Sequence, residues 1–276
     1  DNRMMLDHGE DIRRGIELLR KYVKPDNFVF AIENNKPHAI AAMKELFADD
    51  PTMSIVELPS SYPQGAKQMI LYNALGKVVY AGQRFATLGV IIINVSTLAK
   101  VAKFMDTGMP LVDRVVTVDG SAIKEPKNVI APIGTACKEV IDFAGGFGCE
   151  PKKLVMGGPM MGVAQYDLDA PVAKGTSAIL AFNEKDARPV TPTACIRCGG
   201  CIDHCPMNLM PVEIERAYEK NDAEALKALK VGLCIECGCC AFQCPAHRPL
   251  VQVNKLSKTL VRDYDNRMKT LKEAGK

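Results

Sequence analysis

Two runs of four cysteines in this chain have one spacing: Cys195-Ile-Arg-Cys198-Gly-Gly-Cys201-Ile-Asp-His-Cys205-Pro206 and Cys234-Ile-Glu-Cys237-Gly-Cys-Cys240-Ala-Phe-Gln-Cys244-Pro245. Each cysteine of the second run follows its counterpart by 39 residues. Three thiolates two residues apart, with a fourth before a proline, form the bacterial spacing for a [4Fe–4S] cluster. The repeat therefore predicts two clusters and the transfer of single electrons.

The spacing also predicts which cysteine binds which cluster, because the fourth cysteine of each run ligates the other run's cluster. We expect one cluster on Cys195, Cys198, Cys201 and Cys244, and the other on Cys234, Cys237, Cys240 and Cys205. A disulfide framework is typical of short secreted chains, and structural zinc takes two pairs of ligands. The other three of the eleven cysteines do not belong to the repeated spacing, and we expect them to be packing or loop residues: Cys137, Cys149 and Cys239.

Composition excludes several classes of function. The net charge of +3 and the absence of tryptophan argue against a nucleic-acid interface. No apolar run reaches the roughly 18–20 residues that cross a bilayer, and the longest, 88–95, has the length of a buried strand. Thiolate ligands indicate a reducing, cytoplasmic compartment.

The hydrophobic pattern predicts three domains and a linker. Residues 1–110 alternate apolar strands, including 89–95, with helices, which is typical of an α/β domain with a parallel sheet. Ser96 or Thr97 is the expected N-cap of the helix after that strand. A β-grasp-like α+β domain over 111–185 follows, then a linker over 186–193 and a helical domain over 194–276 that carries the clusters. In the last domain we expect a helix over 211–230 with a break at Asn221-Asp222, and Ile214 less well placed for packing.

Several motifs together resemble one family, the C subunit of the Rnf electron-transport complex, whose flavin part is similar to the NADH-binding subunit of respiratory complex I. Besides the cysteine runs and Arg248-Pro-Leu-Val-Gln252, the motifs are Asp1-Asn-Arg-Met4, Glu33-Asn-Asn-Lys-Pro37, Tyr62-Pro-Gln-Gly65, Asn94-Val-Ser-Thr97, Arg114-Val-Val-Thr-Val118 and Gly157-Gly-Pro-Met-Met-Gly162. The resemblance covers nearly the whole chain.

The resemblance implies an NADH-linked flavoprotein with FMN on the α/β domain, a β-grasp domain of the soluble-ligand-binding type after it, and then the clusters. Tyr62 and Gly65 would contact flavin and nicotinamide. Asn94 and Thr97 would hold the flavin phosphate at a helix N-terminus, a favourable place for an anion. The implied partners are other subunits of a membrane electron-transport complex and a ferredoxin or ferredoxin-like subunit, with the chain on the cytoplasmic face of the membrane.

The sequence departs from the family in two places. The family's glycine-rich loop, which cradles FMN and NADH, precedes a segment like Asp1-Asn-Arg3, and an acidic residue usually lies between Ala66 and Lys67. We therefore expect a fragment that keeps its clusters, binds FMN and NADH poorly or not at all, and acts alone only as an electron carrier. Two alternatives stay open: a soluble NADH-linked reductase, serving cobalamin or an amino-acid reductase, and a non-catalytic scaffold.

Overall fold

The computed structural model describes residues 1–274 and divides the chain into two compact units, Asp1–Val112 and Asp113–Lys276. The division of the sequence into three domains and a linker stays a prediction. No helix within the described residues is long and apolar enough to span a membrane.

The first unit contains a parallel pair of strands, β1 (Phe28–Glu33) and β2 (Met53–Leu58), with Phe28 opposite Met53 and Glu33 opposite Leu58. Both strands confirm the sequence prediction, as does the parallel pairing. The apolar face of β1 packs Phe30 against Phe47, with ring centroids 5.4 Å apart. The helices are α1 (Asn2–Asp7), α2 (Gly9–Tyr22), α3 (Pro37–Leu46), α4 (Lys67–Leu75) and α5 (Val95–Thr107), with a 3₁₀ turn at Phe85–Leu88.

The predicted third strand over 89–95 is wrong. Residues 89–94 form irregular backbone between the 3₁₀ turn and α5, and the side chains of Ile91 and Ile93 are exposed. A strand needs a neighbour to satisfy its backbone groups, and within residues 1–112 only β1 and β2 pair. The helix after it is confirmed, but its N-cap is Asn94, whose side chain accepts from Ser96 N at 2.9 Å, and not Ser96 or Thr97.

The second unit begins with five strands and one helix: β3 (Asp113–Asp119), β4 (Lys127–Pro132), α6 (Cys137–Phe143), β5 (Lys153–Met156), β6 (Val163–Gln165) and β7 (Ala178–Phe182). The strands form a mixed sheet in the order β4-β3-β7-β5-β6. β3 pairs antiparallel with β4 and parallel with β7, and α6 packs on the sheet through Cys137, Val140 and Ile141. This arrangement confirms the predicted α+β unit, although the three-residue edge strand β6 was not predicted.

The cysteine region is helical, as predicted. The expected break in the first long helix is present, because Asn221 has φ +54° and the Asp222 side chain accepts from Ala225 N as a new N-cap. Ile214, expected to be less well placed, is fully buried with Leu226 and Val231. The helices are α7 (Gly200–Asp203), α8 (Pro211–Glu219), α9 (Ala223–Ala228), α10 (Cys239–Phe242) and α11 (Leu250–Ala274), with a 3₁₀ turn at Val231–Leu233.

Candidate iron–sulfur centre

The two cysteine runs have the same backbone conformation. Gly199 and Gly238 occupy equivalent positions with φ +79° and +86°, and each begins a one-turn helix that carries the third cysteine of its run. Arg197 and Glu236 match as well, with φ +57° and +59°. A residue with a side chain rarely adopts positive φ, so the agreement at these positions shows that the repeat extends from sequence to backbone.

Each run lines a cavity, and each cavity takes its fourth cysteine from the other run. The first cavity has an empty volume of about 950 Å³, and the second has about 300 Å³. The first is lined by Cys195, Cys198, Cys201 and Cys244, and the second by Cys234, Cys237, Cys240 and Cys205. These groups are the two predicted ligand sets, and their gathering around cavities supports the assignment.

The cysteines of each predicted ligand set lie around a cavity. Within residues 1–274, no group of three or more His, Cys, Asp or Glu side chains converges closely enough to hold a single metal ion. A four-iron cluster binds each cysteine through a different iron atom, so its ligands must be spread around a cavity. The geometry therefore fits a cluster better than a mononuclear site.

The two cavities differ in solvent exposure and charge. Cys195 and Cys198 of the first cavity are exposed, whereas Cys237 and Cys240 of the second are each 7% exposed. Charged side chains line the first cavity: Arg197, Glu213, Arg216 and Arg248. The lining of the second, over the described residues, holds no Lys, Arg, Asp or Glu. The first cavity therefore opens to solvent and the second is more apolar.

Backbone N–H groups donate to four of the ligand sulfurs. In the first turn of each run, Arg197 N donates to Cys195 Sγ and Glu236 N to Cys234 Sγ, both at 3.4 Å. After each fourth cysteine, Leu209 N donates to Cys205 Sγ at 3.3 Å and Arg248 N to Cys244 Sγ at 3.5 Å. Such donors stabilise thiolate charge and raise the reduction potential of a bound cluster.

Burial disfavours the charged form of the inner thiols. It raises the pKa of Cys240 to about 12, with a further contribution from the nearby Cys234 and Cys237, and it also raises the pKa values of Cys201 and Cys234. Thiolates confined in these cavities need positive charge to compensate them, and an iron–sulfur core supplies it. The donor set and its surroundings thus fit the cluster that the spacing predicts.

A buried ion pair missed by the sequence reasoning lies beside the first cavity. Arg248 Nε lies 3.1 and 3.0 Å from the two carboxylate oxygens of Glu215, whose side chain is 5% exposed. The guanidinium also donates to Glu219 and to the carbonyl of Thr193. Glu215 is the main cause of the raised pKa of Arg248. No local pattern indicated this contact, since its partners are 33 residues apart.

The cysteines outside the two ligand sets have different environments. Cys137 is fully buried in the sheet core, which confirms a packing role, whereas Cys149 is exposed and not packed. Cys239 lies beside the second set, where burial and then Cys237 raise its pKa to about 11.

The structure does not gather the predicted flavin residues around either cavity. Tyr62, Asn94 and Thr97 are exposed, and a Cβ at Gly65 would have no neighbour within 4 Å. At the N-terminus of α5, Asn94 Nδ2 and Ser96 Oγ donate to the Asp1 carboxylate at 2.9 and 3.1 Å. The Asp1 carboxylate thus lies at the helix N-terminus where the resemblance places the flavin phosphate.

Comparison with known families gives three matches along the chain. Residues 1–103 match the Nuo51 FMN-binding domain, residues 115–164 match the SLBB domain, and residues 189–245 match the 4Fe-4S dicluster domain. The order of the matches confirms the predicted fold class, including the relation of the first region to the flavin subunit of complex I.

Comparison with curated proteins gives relatives over most of the chain. The C subunit of the proton-translocating ferredoxin:NAD⁺ oxidoreductase complex of Clostridium ljungdahlii is 42% identical over 76% of this chain and 46% of its own length. The C subunit of the Na⁺-translocating ferredoxin:NAD⁺ oxidoreductase complex of Acetobacterium woodii is 38% identical over 80% of this chain and 50% of its own length. The C subunit of the ion-translocating oxidoreductase complex of Rhodobacter capsulatus is 37% identical over 84% of this chain and 45% of its own length.

Among solved structures, a crystal structure of an NAD⁺-reducing [NiFe]-hydrogenase in the H₂-reduced state matches with a TM-score of 0.61. The match covers 92% of this chain and 52% of the hydrogenase chain, and the 15% identity makes it a likeness of fold alone.

The domain order and the two cysteine-lined cavities define a dicluster iron–sulfur protein with a flavin-type domain. The chain is homologous to the C subunit of the ion-translocating oxidoreductase complexes, as its motifs predict. It spans about half the length of the curated relatives it matches.

Proposed function

We propose that this chain relays single electrons through two [4Fe–4S] clusters within an ion-translocating ferredoxin:NAD⁺ oxidoreductase complex. The observation that carries the proposal is the exchange of the fourth cysteine between cavities: Cys244 lines the first cavity and Cys205 the second. The exchange is typical of two-cluster ferredoxins, in which two clusters lie close together on one short segment.

In this proposal the protein binds the clusters and shields them from solvent, and the clusters supply the redox chemistry. The first ligand set would be Cys195, Cys198, Cys201 and Cys244, and the second Cys234, Cys237, Cys240 and Cys205. The exposed first cavity suits electron exchange with a partner, because its ligands Cys195 and Cys198 reach the surface. The buried second cavity suits a cluster kept from water.

We propose that the partners are other subunits of the membrane complex and a ferredoxin or ferredoxin-like subunit, with the chain on the cytoplasmic face of the membrane. The names of the relatives support the complex, and thiolate ligands of a cluster suit a reducing compartment. Tyr62, Gly65, Asn94 and Thr97 stay proposed flavin contacts, and the match of residues 1–103 to the Nuo51 FMN-binding domain supports a flavin in this region. Flavin measured on the purified protein tests this part of the proposal.

Iron analysis of the anaerobically purified chain tests the ligand sets. We expect about eight iron atoms per chain, and two interacting signals in the electron paramagnetic resonance (EPR) spectrum after reduction. Cys205→Ser should disturb the second cluster although it lies in the first run. Cys149→Ser is the matched control, since Cys149 lies outside both cavities, and it should keep all the iron.

Two results would contradict the proposal. About four iron atoms in the unmodified chain would reject two [4Fe–4S] clusters. Loss of the cluster of the first run in Cys205→Ser, with the second intact, would reject the exchange of ligands. Membership of the complex is tested separately: the tagged chain should purify with integral membrane subunits, and its quantitative recovery without them would reject that part.

A further inference from the structure

The 39-residue repeat continues beyond the cysteines into the helices that follow them. α8 begins six residues after Cys205, and α11 begins six residues after Cys244. Counting along the repeat, Glu215 on α8 corresponds to Asn254 on α11. One position therefore carries an acid in the first copy and an amide in the second, and each residue is almost fully buried, at 3% and 1% exposure.

The two side chains have different partners. The Glu215 carboxylate is held by the guanidinium of Arg248. Asn254 has no such cation: it lines the second cavity, and its Nδ2 donates to Cys234 Sγ at 3.6 Å. Its Oδ1 has no hydrogen-bond partner among the described residues.

The chemistry of the sulfur fixes the direction of the amide. A ligand thiolate can only accept, so the N–H₂ group and not the carbonyl must face Cys234. Leaving the amide oxygen buried and unpartnered is unfavourable, and an apolar side chain at this place would avoid that cost. Asn254 is therefore poorly explained by packing alone and well explained by its contact with the sulfur.

We propose that Asn254 is a positioning residue that sets the reduction potential of the second cluster by donating its side-chain N–H to Cys234 Sγ. One-electron reduction adds negative charge to the cluster and its sulfurs, and a donor aimed at a sulfur stabilises that added charge. No charged side chain lines the second cavity, although Lys258 Nζ donates to the Cys234 carbonyl oxygen beside it at 2.6 Å. In such a buried lining a neutral donor to the sulfur acts more strongly than it would in water. The inference rests on the ligand sets proposed above.

Potentiometric titration of the reconstituted chain, followed by EPR, tests the role of Asn254. Asn254→Leu removes the donor and keeps the number and connectivity of the side-chain heavy atoms. We expect one midpoint potential to fall so that the reduced-to-oxidised ratio at fixed potential drops about tenfold, or about 59 mV for one electron. The shifted cluster should be the one disturbed in Cys205→Ser, and the other should keep its potential.

Ser257→Ala is the matched control. Ser257 lies one turn further along α11, is fully buried and has a hydroxyl without a partner among the described residues, but it does not line the cavity. It should keep both potentials and all the iron. Asn254→Ser, too short to reach the sulfur, repeats the test if the leucine variant loses iron.

Three outcomes would overturn the inference. They are unchanged potentials in Asn254→Leu with all iron retained, an equal shift in Ser257→Ala, and loss of the second cluster in both Asn254 variants. The last would mean that Asn254 holds the cluster and does not tune it. Each differs from failure of the proposed ligand sets, which would already appear as a deficit of iron in the unmodified chain or as loss of the cluster of the first run in Cys205→Ser.

Discussion

Arg248 and Glu215 join the two copies of the cysteine repeat through a buried ion pair. Arg248 follows the last ligand of the second run and lines the first cavity, whereas Glu215 lies on the helix after the first run. The carboxylate receives the guanidinium Nε at 3.1 and 3.0 Å. A charge buried to this extent depends on its partner, so the pair should control how stably the two copies are held together.

Arg248→Met should therefore destabilise the chain strongly. It leaves the Glu215 carboxylate buried without its cation, and breaking a buried pair in this way costs about 3–5 kcal/mol. Glu215→Gln should cost less, since an amide oxygen still accepts from Arg248 and the remaining cation is 24% exposed. Urea denaturation followed by circular dichroism, with iron content measured in parallel, gives both values.

Arg262→Met is the control for this prediction. Arg262 pairs with Asp263, but both side chains are more than half exposed, so loss of the pair should change the free energy of unfolding by less than about 1 kcal/mol. Equal effects of Arg248→Met and Arg262→Met would show that burial of Glu215 does not matter for stability.

Gly238→Ala should disturb the second cavity more than Gly199→Ala disturbs the first. Both glycines have φ near +80°, where an alanine is strained by about 1–2 kcal/mol. Only at Gly238 does a further obstacle exist, because a Cβ there would lie 3.2 Å from the carbonyl oxygen of Met160. At Gly199 the nearest atom is Asp203 Oδ2 at 3.8 Å.

Iron content and denaturation of these two variants give the comparison. Gly238→Ala should lose the greater share of iron and unfold at lower urea. Equal losses of iron and stability would mean that the strain of positive φ alone explains both variants. The close approach of Met160 to Gly238 would then make no contribution.

The cysteine region could be predicted closely because its information is local. The two repeated cysteine runs and the break at Asn221-Asp222 follow from short-range spacing and turn chemistry. The positions of Cys244 at the first cavity and Cys205 at the second could be predicted too, but only because a known spacing carries that rule.

The features that could not be predicted depend on distant partners. The apolar run over 89–95 has the composition of a strand, yet no neighbouring strand pairs with it in residues 1–112. The contact of Arg248 with Glu215 and the approach of Met160 to Gly238 join segments far apart in sequence. The proposed contact of Asn254 with Cys234 likewise joins residues 20 positions apart.

Gly15→Ala should destabilise the first unit. A Cβ at Gly15 on α2 would lie 2.6 Å from the Leu98 carbonyl oxygen on α5, so the two helices would have to separate. Overpacking of this kind costs about 1–3 kcal/mol, which outweighs the helix propensity that alanine gains. Thermal unfolding measures the change. A Cβ at Gly9, at the start of the same helix, would meet only the ends of two side chains, Leu46 Cδ2 at 3.3 Å and Met43 Cε at 3.8 Å, so Gly9→Ala should be nearly neutral. A comparable loss there would refute the explanation.

The ion pair of Asp50 with Arg20 should make the first unit sensitive to acid. Hydrogen bonds from Arg20 and Thr52 lower the pKa of the Asp50 carboxyl from 3.8 to about 2. Because the folded pKa lies below the unfolded one, the carboxylate contributes its stability above pH 4 and loses it as the pH falls towards 2.

Asp50→Asn should therefore lower the melting temperature slightly at neutral pH, and the difference from the unmodified chain should shrink between pH 4 and pH 2. The amide can still accept from Thr52, whose N and Oγ1 lie 3.0 and 2.7 Å from Asp50 Oδ1, so the substitution mainly removes the charge facing Arg20. Asp49→Asn removes the same charge from an exposed neighbour and should show no such convergence. A constant difference for Asp50→Asn over the whole range would mean that shape and not charge explains its effect.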